Sequence, residues 1–180
     1  MTTNLPPVSA ASLANVPLPG EAGVWGVCPG VGLIADVIRR ATESWAGHAV
    51  MYVGGGQIVQ ATWPRVEVAQ APTQNVIWAT GQPLNATQRS AAANKALALV
   101  GTGYDIWAYP VLAAAVVYAE VTKDLSHLFG NDKWWDCSGL IAYCDSVAGA
   151  PMFAPNISSH LVTPAELMNL GAQEGWFQGK

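Results

Sequence analysis

The run Trp134-Trp135-Asp136-Cys137-Ser138-Gly139-Leu140-Ile141-Ala142-Tyr143-Cys144 constrains this chain more than any other stretch. Cys137, Leu140, Ile141, Cys144 and Ala148 recur at i, i+3, i+4, i+7 and i+11, the period of one face of an α-helix. Asp136 stands where an N-cap belongs, which puts Cys137 in the first helical turn. There the unpaired N–H groups and the positive end of the helix dipole favour a thiolate over a thiol. A cysteine needed only for packing gains nothing from that position. The expectation is a nucleophilic Cys137 whose own backbone N–H helps stabilise an oxyanion, with the base supplied from elsewhere in the chain.

A cysteine nucleophile needs a base within hydrogen-bond reach, and the base needs a group that holds its tautomer. The chain has three histidines. His127 lies in a polar stretch and reads as solvated; His160 sits among Ser158, Ser159 and Leu161 in a loop. His48 instead opens an apolar strand, His48 to Val53, where a polar residue needs a reason to be; the bland alternative is a strand-edge histidine facing water. Gly54-Gly55-Gly56 makes a turn, and Gln57 to Ala61 returns with Gln57, Val59 and Ala61 on one face and Ile58 and Gln60 on the other. Gln60 follows His48 by twelve residues, so the hairpin brings it beside the histidine. A glutamine carbonyl there can accept the imidazole N–H and hold the ring, although alone it also reads as an ordinary exposed strand residue.

The remaining elements are expected as follows. Val24–Cys28 forms a first strand, and Gly32 to Glu43 an amphipathic helix with Leu33, Ile34, Val37, Ile38 and Ala41 on its apolar side. Arg65–Val68 and Asn75–Ala79 form further strands. Ala86 to Val100 forms a helix closed by Gly101, with Tyr104-Asp105 in the loop after it. A helix opens at Pro110 and runs to Lys123. Another starts at Thr163-Pro164-Ala165-Glu166, where Thr163 is the N-cap and Glu166 completes a capping box. Residues 1–22, with four prolines in the first twenty, read as an extended arm ahead of one domain over 23–180.

Composition excludes several classes of function. Eight Lys and Arg and a net charge of -4 leave no basic stripe for nucleic acid. The longest apolar run, Val111 to Ala119, is nine residues, against about 20 for a membrane span. Three cysteines without tight spacing point to reduced thiols, with Cys28 and Cys144 as small packing residues. The Cys and His residues have no ligand-like spacing, so no zinc site is expected. Charged residues make up only 11% of the chain, against roughly 25% in ordinary soluble domains. Either the surface is polar but uncharged, or part of it is covered in a homo-oligomer or larger assembly. No charge precedes Glu21, so the N-terminus lacks the basic region of a secretory signal. That leaves a protein expected to be cytoplasmic when made.

The segment from His48 to Gln60 resembles the histidine hairpin of NlpC/P60 cysteine peptidases, and Asp136-Cys137-Ser138-Gly139-Leu140 resembles their nucleophile motif. In ordinary members cysteine comes first; here histidine precedes it by 89 residues. That order is similar to the circularly permuted branch, the papain-like amidases of the YaeF/YiiX kind, related to the lecithin:retinol acyltransferase-like proteins. The helix before the histidine strand and the Tyr104-Asp105 pair are also similar to that branch, and the likeness covers roughly residues 23–170. The resemblance implies an α+β, papain-like fold in permuted order, with a small antiparallel sheet packed on the nucleophile helix. It implies Cys137 as nucleophile, His48 as general base and then acid, and Gln60 as the residue orienting His48. Asp136, Ser138 and Tyr104 are the remaining candidates for oxyanion or substrate contact, Tyr104 being equally readable as a core or loop residue. The implied reaction is attack on an amide or related acyl carbonyl to give a thioester acyl-enzyme, then hydrolysis, and it implies no metal or organic cofactor. Peptide amides of peptidoglycan come first as substrate, and an acyl lipid second. A phage-encoded enzyme, carried in a virion or released at lysis, would meet that wall without a signal peptide. A non-catalytic subunit of a larger assembly is the contrasting expectation.

Overall fold

The computed structural model of the chain describes residues 19–105, 134–154, 159 and 162–177. The expected arm as far as residue 18, the helix expected from Pro110 to Lys123, and His127 and His160 lie outside them. Among the described residues the elements run β1 (Val24–Cys28), α1 (Leu33–Ala41), β2 (His48–Gly54), β3 (Gln57–Thr62), β4 (Arg65–Gln70), β5 (Ile77–Trp78), α2 (Ala86–Ala98), β6 (Gly103–Tyr104), β7 (Trp134–Trp135), α3 (Cys137–Val147) and α4 (Pro164–Gln173). The fold is α+β.

The strands form one seven-stranded sheet in the order β5-β1-β2-β3-β4-β6-β7. Every pairing is antiparallel except that of β6 with β7. Gly54, Gly55 and Gly56 all have positive φ, at 93°, 60° and 74°, which glycine adopts without strain, and they close the β2–β3 hairpin. In that hairpin Met51 pairs with Val59 and Tyr52 with Ile58. Continued by one step, the register sets Gln60 opposite Val50, on the same face as His48 and diagonal to it.

Alternation sorts the strands onto two faces. Trp25, Val27, Ala49, Met51, Val59, Ala61 and Val66 face a core completed by α2, α3 and α4. Val24, Val50, Tyr52, Ile58, Val76 and Trp78 form a smaller cluster on the other face. The helix starts follow their caps: Asp136 accepts from the Gly139 N–H, and the Thr163–Glu166 capping box is complete. A second capping box, Asn85 with Gln88, opens α2. Tyr104 lies in a strand and not in the loop expected for it, because Gly103 pairs with both Arg65 and Trp134. No helix among the described residues is long and apolar enough to cross a membrane.

Behind α3 lies a buried polar pair. Gln82 Nε2 donates to Asp145 Oδ2 at 2.6 Å, while Gln82 Oε1 and Asp145 Oδ1 have no hydrogen-bond partner among the described residues. Burial pushes the Asp145 carboxyl from 3.8 up to about 7, against the pull of the Gln82 bond and of Arg89. The folded state therefore binds more protons than the unfolded state between about pH 4 and 7, and stability falls as pH rises through that window. Asp145→Asn supplies a permanent N–H donor in place of the proton. It is expected to leave stability at pH 4 nearly unchanged and to raise it at pH 8 by an amount on the order of 1–4 kcal/mol. Urea unfolding of both proteins at the two pH values checks this.

Candidate active site

A cleft of about 670 Å³ crosses the end of the sheet where β2 begins and β3 finishes. Its lining brings together Cys137, His48, Gln60 and Tyr104, residues from α3, β2, β3 and β6. One wall is the loop from Pro29 to Gly32 with the start of α1. Arg39 of α1 holds that loop, donating from one guanidinium nitrogen to the Pro29 carbonyl at 2.6 Å and pairing with Asp36 through the other.

His48 and Gln60 meet as the hairpin geometry requires: His48 Nε2 and Gln60 Oε1 are 3.0 Å apart. The amide of Gln60 is engaged at both ends, because its Nε2 donates to Glu67 Oε1, also at 3.0 Å. Gln60 and Glu67 are direct register partners on β3 and β4. With an NH2 group committed to a carboxylate, Gln60 presents its carbonyl to the imidazole. His48 then carries its proton on Nε2, and Nδ1 is the basic nitrogen. Burial lowers the His48 pKa from 6.5, partly offset by the Gln60 bond, so the resting ring is neutral at pH 7. A neutral imidazole is what a base requires.

Cys137 is buried at the first position of α3. The helix start around it is braced from three sides. Asp136 Oδ1 accepts from Gly139 N at 2.6 Å, and Ser138 Oγ donates to the Val162 carbonyl at 2.7 Å. A Cβ at Gly139 would come within 2.7 Å of the Ser159 carbonyl oxygen and 2.9 Å of Asp136 Oδ2, so the glycine of the motif is required by close approach. Asp136 and Ser138 thus sit in the cap and are absent from the cleft lining; both are buried. Burial pushes the Asp136 carboxyl up to about 7; the Gly139 and Ser138 bonds oppose this, and the nearby Asp105 adds to it. Tyr104 does reach the cleft.

The other two cysteines contrast with this. Cys28, at the register position of His48 on β1, has its thiol pKa raised by burial. Cys144 is fully buried, and burial together with the adjacent Asp145 raises its thiol further. In both, burial disfavours the thiolate, which is the nucleophilic form.

Glu67 escaped the sequence reading. The signal was present: a two-residue turn at Trp63-Pro64 sets Thr62 against Arg65 and therefore Gln60 against Glu67. Comparison of the chain with protein-family models and with curated proteins finds no match.

Proposed function

We propose that this protein is a cysteine hydrolase that cleaves an acyl bond, first of all an amide, through a thioester on Cys137. The observation that carries this is one cleft lined by a thiol at a helix N-terminus and by a histidine whose Nε2 is held by a carbonyl. In the proposed mechanism His48 Nδ1 takes the Cys137 proton as sulfur attacks the acyl carbonyl. The positive end of α3 lies beside the developing oxyanion. The imidazolium then protonates the leaving amine, and a water activated by His48 releases the acid. A papain-like arrangement in permuted order is the matching fold reading.

The first substrate class is a peptide amide of bacterial peptidoglycan. A second class, an apolar acyl amide or ester, is favoured by a separate observation. Among the described residues the cleft lining includes no Asp, Glu, Lys or Arg. Its rim exposes Val31 at 97%, Leu33 at 79% and Trp63 at 63%. Stem peptides carry several charges, which such a lining would desolvate without pairing.

Alkylation across pH 5 to 9, with labelled sites mapped by mass spectrometry, tests the reading. Cys137 is expected to react at pH 5.5, where Cys28 and Cys144 do not. Cys137 labelling no faster than Cys28 would overturn it in favour of a non-catalytic subunit. Acyl-enzyme trapping with muropeptides and with N-acyl amides then separates the two substrate classes.

A further inference from the structure

We infer that Glu67 is a positioning residue for the His48–Cys137 pair, acting through the amide of Gln60; this rests on the cysteine-hydrolase reading. A glutamine amide has nearly the same shape either way round, so its oxygen and nitrogen ends compete for any one place. Turned around, Gln60 would offer an N–H to His48. The ring would then carry its proton on Nδ1 and could not accept one from a thiol. Some third group has to decide between the two arrangements.

Glu67 decides it, because a carboxylate only accepts. It can bind the NH2 end of Gln60 and not the carbonyl end, and the structure shows that bond at 3.0 Å. The backbone sets the pair: Gln60 and Glu67 face each other across β3 and β4, and β4 is held in turn by β6. Among the described residues no cation forms an ion pair with Glu67. Its charge polarises the amide and adds negative character to Gln60 Oε1, which favours a proton on His48. Among the described residues, the other titratable or charged groups around the network include Cys28 on β1, Arg65 on β4, Tyr104 on β6 and Cys137 at the start of α3. Of these, Arg65 is exposed at the end of β4, two residues from Glu67.

Two substitutions separate orientation from charge. Glu67→Gln keeps an acceptor for Gln60 Nε2 but adds a competing N–H donor and removes the charge; Glu67→Leu removes both acceptor and charge. The His48 ring is read first by nitrogen NMR in the Cys137→Ala protein, where no thiol titrates beside it. Glu67→Gln, able to accept from Gln60 Nε2 or to donate to Gln60 Oε1, is expected to keep the Nε2–H tautomer only in part and to lower the His48 pKa by roughly half to one unit. Glu67→Leu is expected to lower the pKa and to populate the Nδ1–H tautomer as well. With Cys137 restored, Glu67→Leu should slow turnover about tenfold or more, and Glu67→Gln should recover part of it. Unchanged tautomer and pKa in both variants overturn the inference. So does a Glu67→Gln protein that loses as much turnover as Glu67→Leu with its His48 tautomer and pKa intact, since that marks a purely structural role. Should Glu67→Leu not fold, the pKa shift in Glu67→Gln carries the test, and its absence overturns the inference. If His48 responds as expected but wild-type Cys137 is unreactive, the hydrolase reading alone fails.

Discussion

His48→Ala is expected to move the acid limb of Cys137 alkylation from below pH 6.5 towards the ordinary thiol value of about 8.5. The size follows from two opposing terms. At pH 5.5 an unassisted thiol with a pKa of about 8.5 is thiolate in roughly one molecule per thousand. If the limb of the assisted pair lies near pH 6, roughly a quarter is reactive, a gain of about 250-fold. A thiolate of lower pKa is also a weaker nucleophile, and a Brønsted coefficient of about 0.4–0.5 returns roughly 10- to 18-fold over 2.5 units. The net loss at pH 5.5 is therefore about 20-fold, and at pH 9, where both thiols are largely ionised, the same coefficient should make the alanine protein roughly tenfold faster. Loss of turnover should be larger, about 10²- to 10⁴-fold, because His48 also protonates the leaving group. A flat ratio across the whole pH range would show that the histidine affects access to Cys137 and not its ionisation. The lowered pKa of His48 also has a stability sign: near pH 6 the unfolded state takes the proton more readily, so His48 costs the fold stability as pH falls below 6.5. His48→Ala removes that cost.

Sequence patterns reached different parts of this site unequally. The cysteine helix and the histidine hairpin were legible because each carries its own local instructions. Asp136 marks the start of α3 by capping, and three glycines with positive φ fix the hairpin that joins β2 to β3. Capping and turn chemistry act over a few residues, so they can be read from a few residues. The strands β6 and β7 were missed because two residues cannot show alternation. They exist through pairing: Gly103, having no side chain, lets the Trp134 ring lie across it, and Arg65 pairs on its other side. The strand order was equally hidden, since β5 joins the sheet beside β1, about fifty residues earlier in the chain. The cleft wall at Pro29 depends on Arg39, whose sequence context reads only as the polar face of a helix. Glu67 lies between these cases. Its place follows from the turn at Trp63-Pro64, but its meaning appears only when Gln60 is seen to bind on both sides.

Trp25→Ala is expected to be the most damaging single change to the fold. Trp25, the second residue of β1, is fully buried and pairs with Met51 of β2. Its ring meets Trp176 edge-on at 6.2 Å and Phe177 at 5.7 Å. Those two residues follow α4 and are tied back by the Gly81 N–H, which donates to the Trp176 carbonyl at 2.8 Å. One tryptophan therefore joins the sheet, the end of α4 and the segment leading to α2. Truncating a buried Trp to Ala typically costs about 3–5 kcal/mol, from lost burial and the cavity left behind. Against a typical total of about 5–15 kcal/mol, that is a large fraction of the fold's stability. Urea unfolding followed by far-ultraviolet circular dichroism measures it without the confusion of eight tryptophan emitters. Trp63→Ala is the internal control, since that side chain is 63% exposed on the cleft rim and should change stability by less than about 0.5 kcal/mol. The aromatic cluster should also couple: a Trp25→Ala, Trp176→Ala cycle is expected to show an interaction of about 0.5–1.5 kcal/mol. The consequence reaches the site because β1 ends at Cys28, the register partner of His48, and runs on into the Pro29 wall of the cleft. A loosened β1 should let His48 wander before the sheet melts. Trp25→Ala should therefore raise the midpoint of Cys137 alkylation under conditions where circular dichroism still reports a folded protein. If stability falls by 3 kcal/mol or more and that midpoint does not move, β2, β3 and β4 hold the histidine network without help from β1.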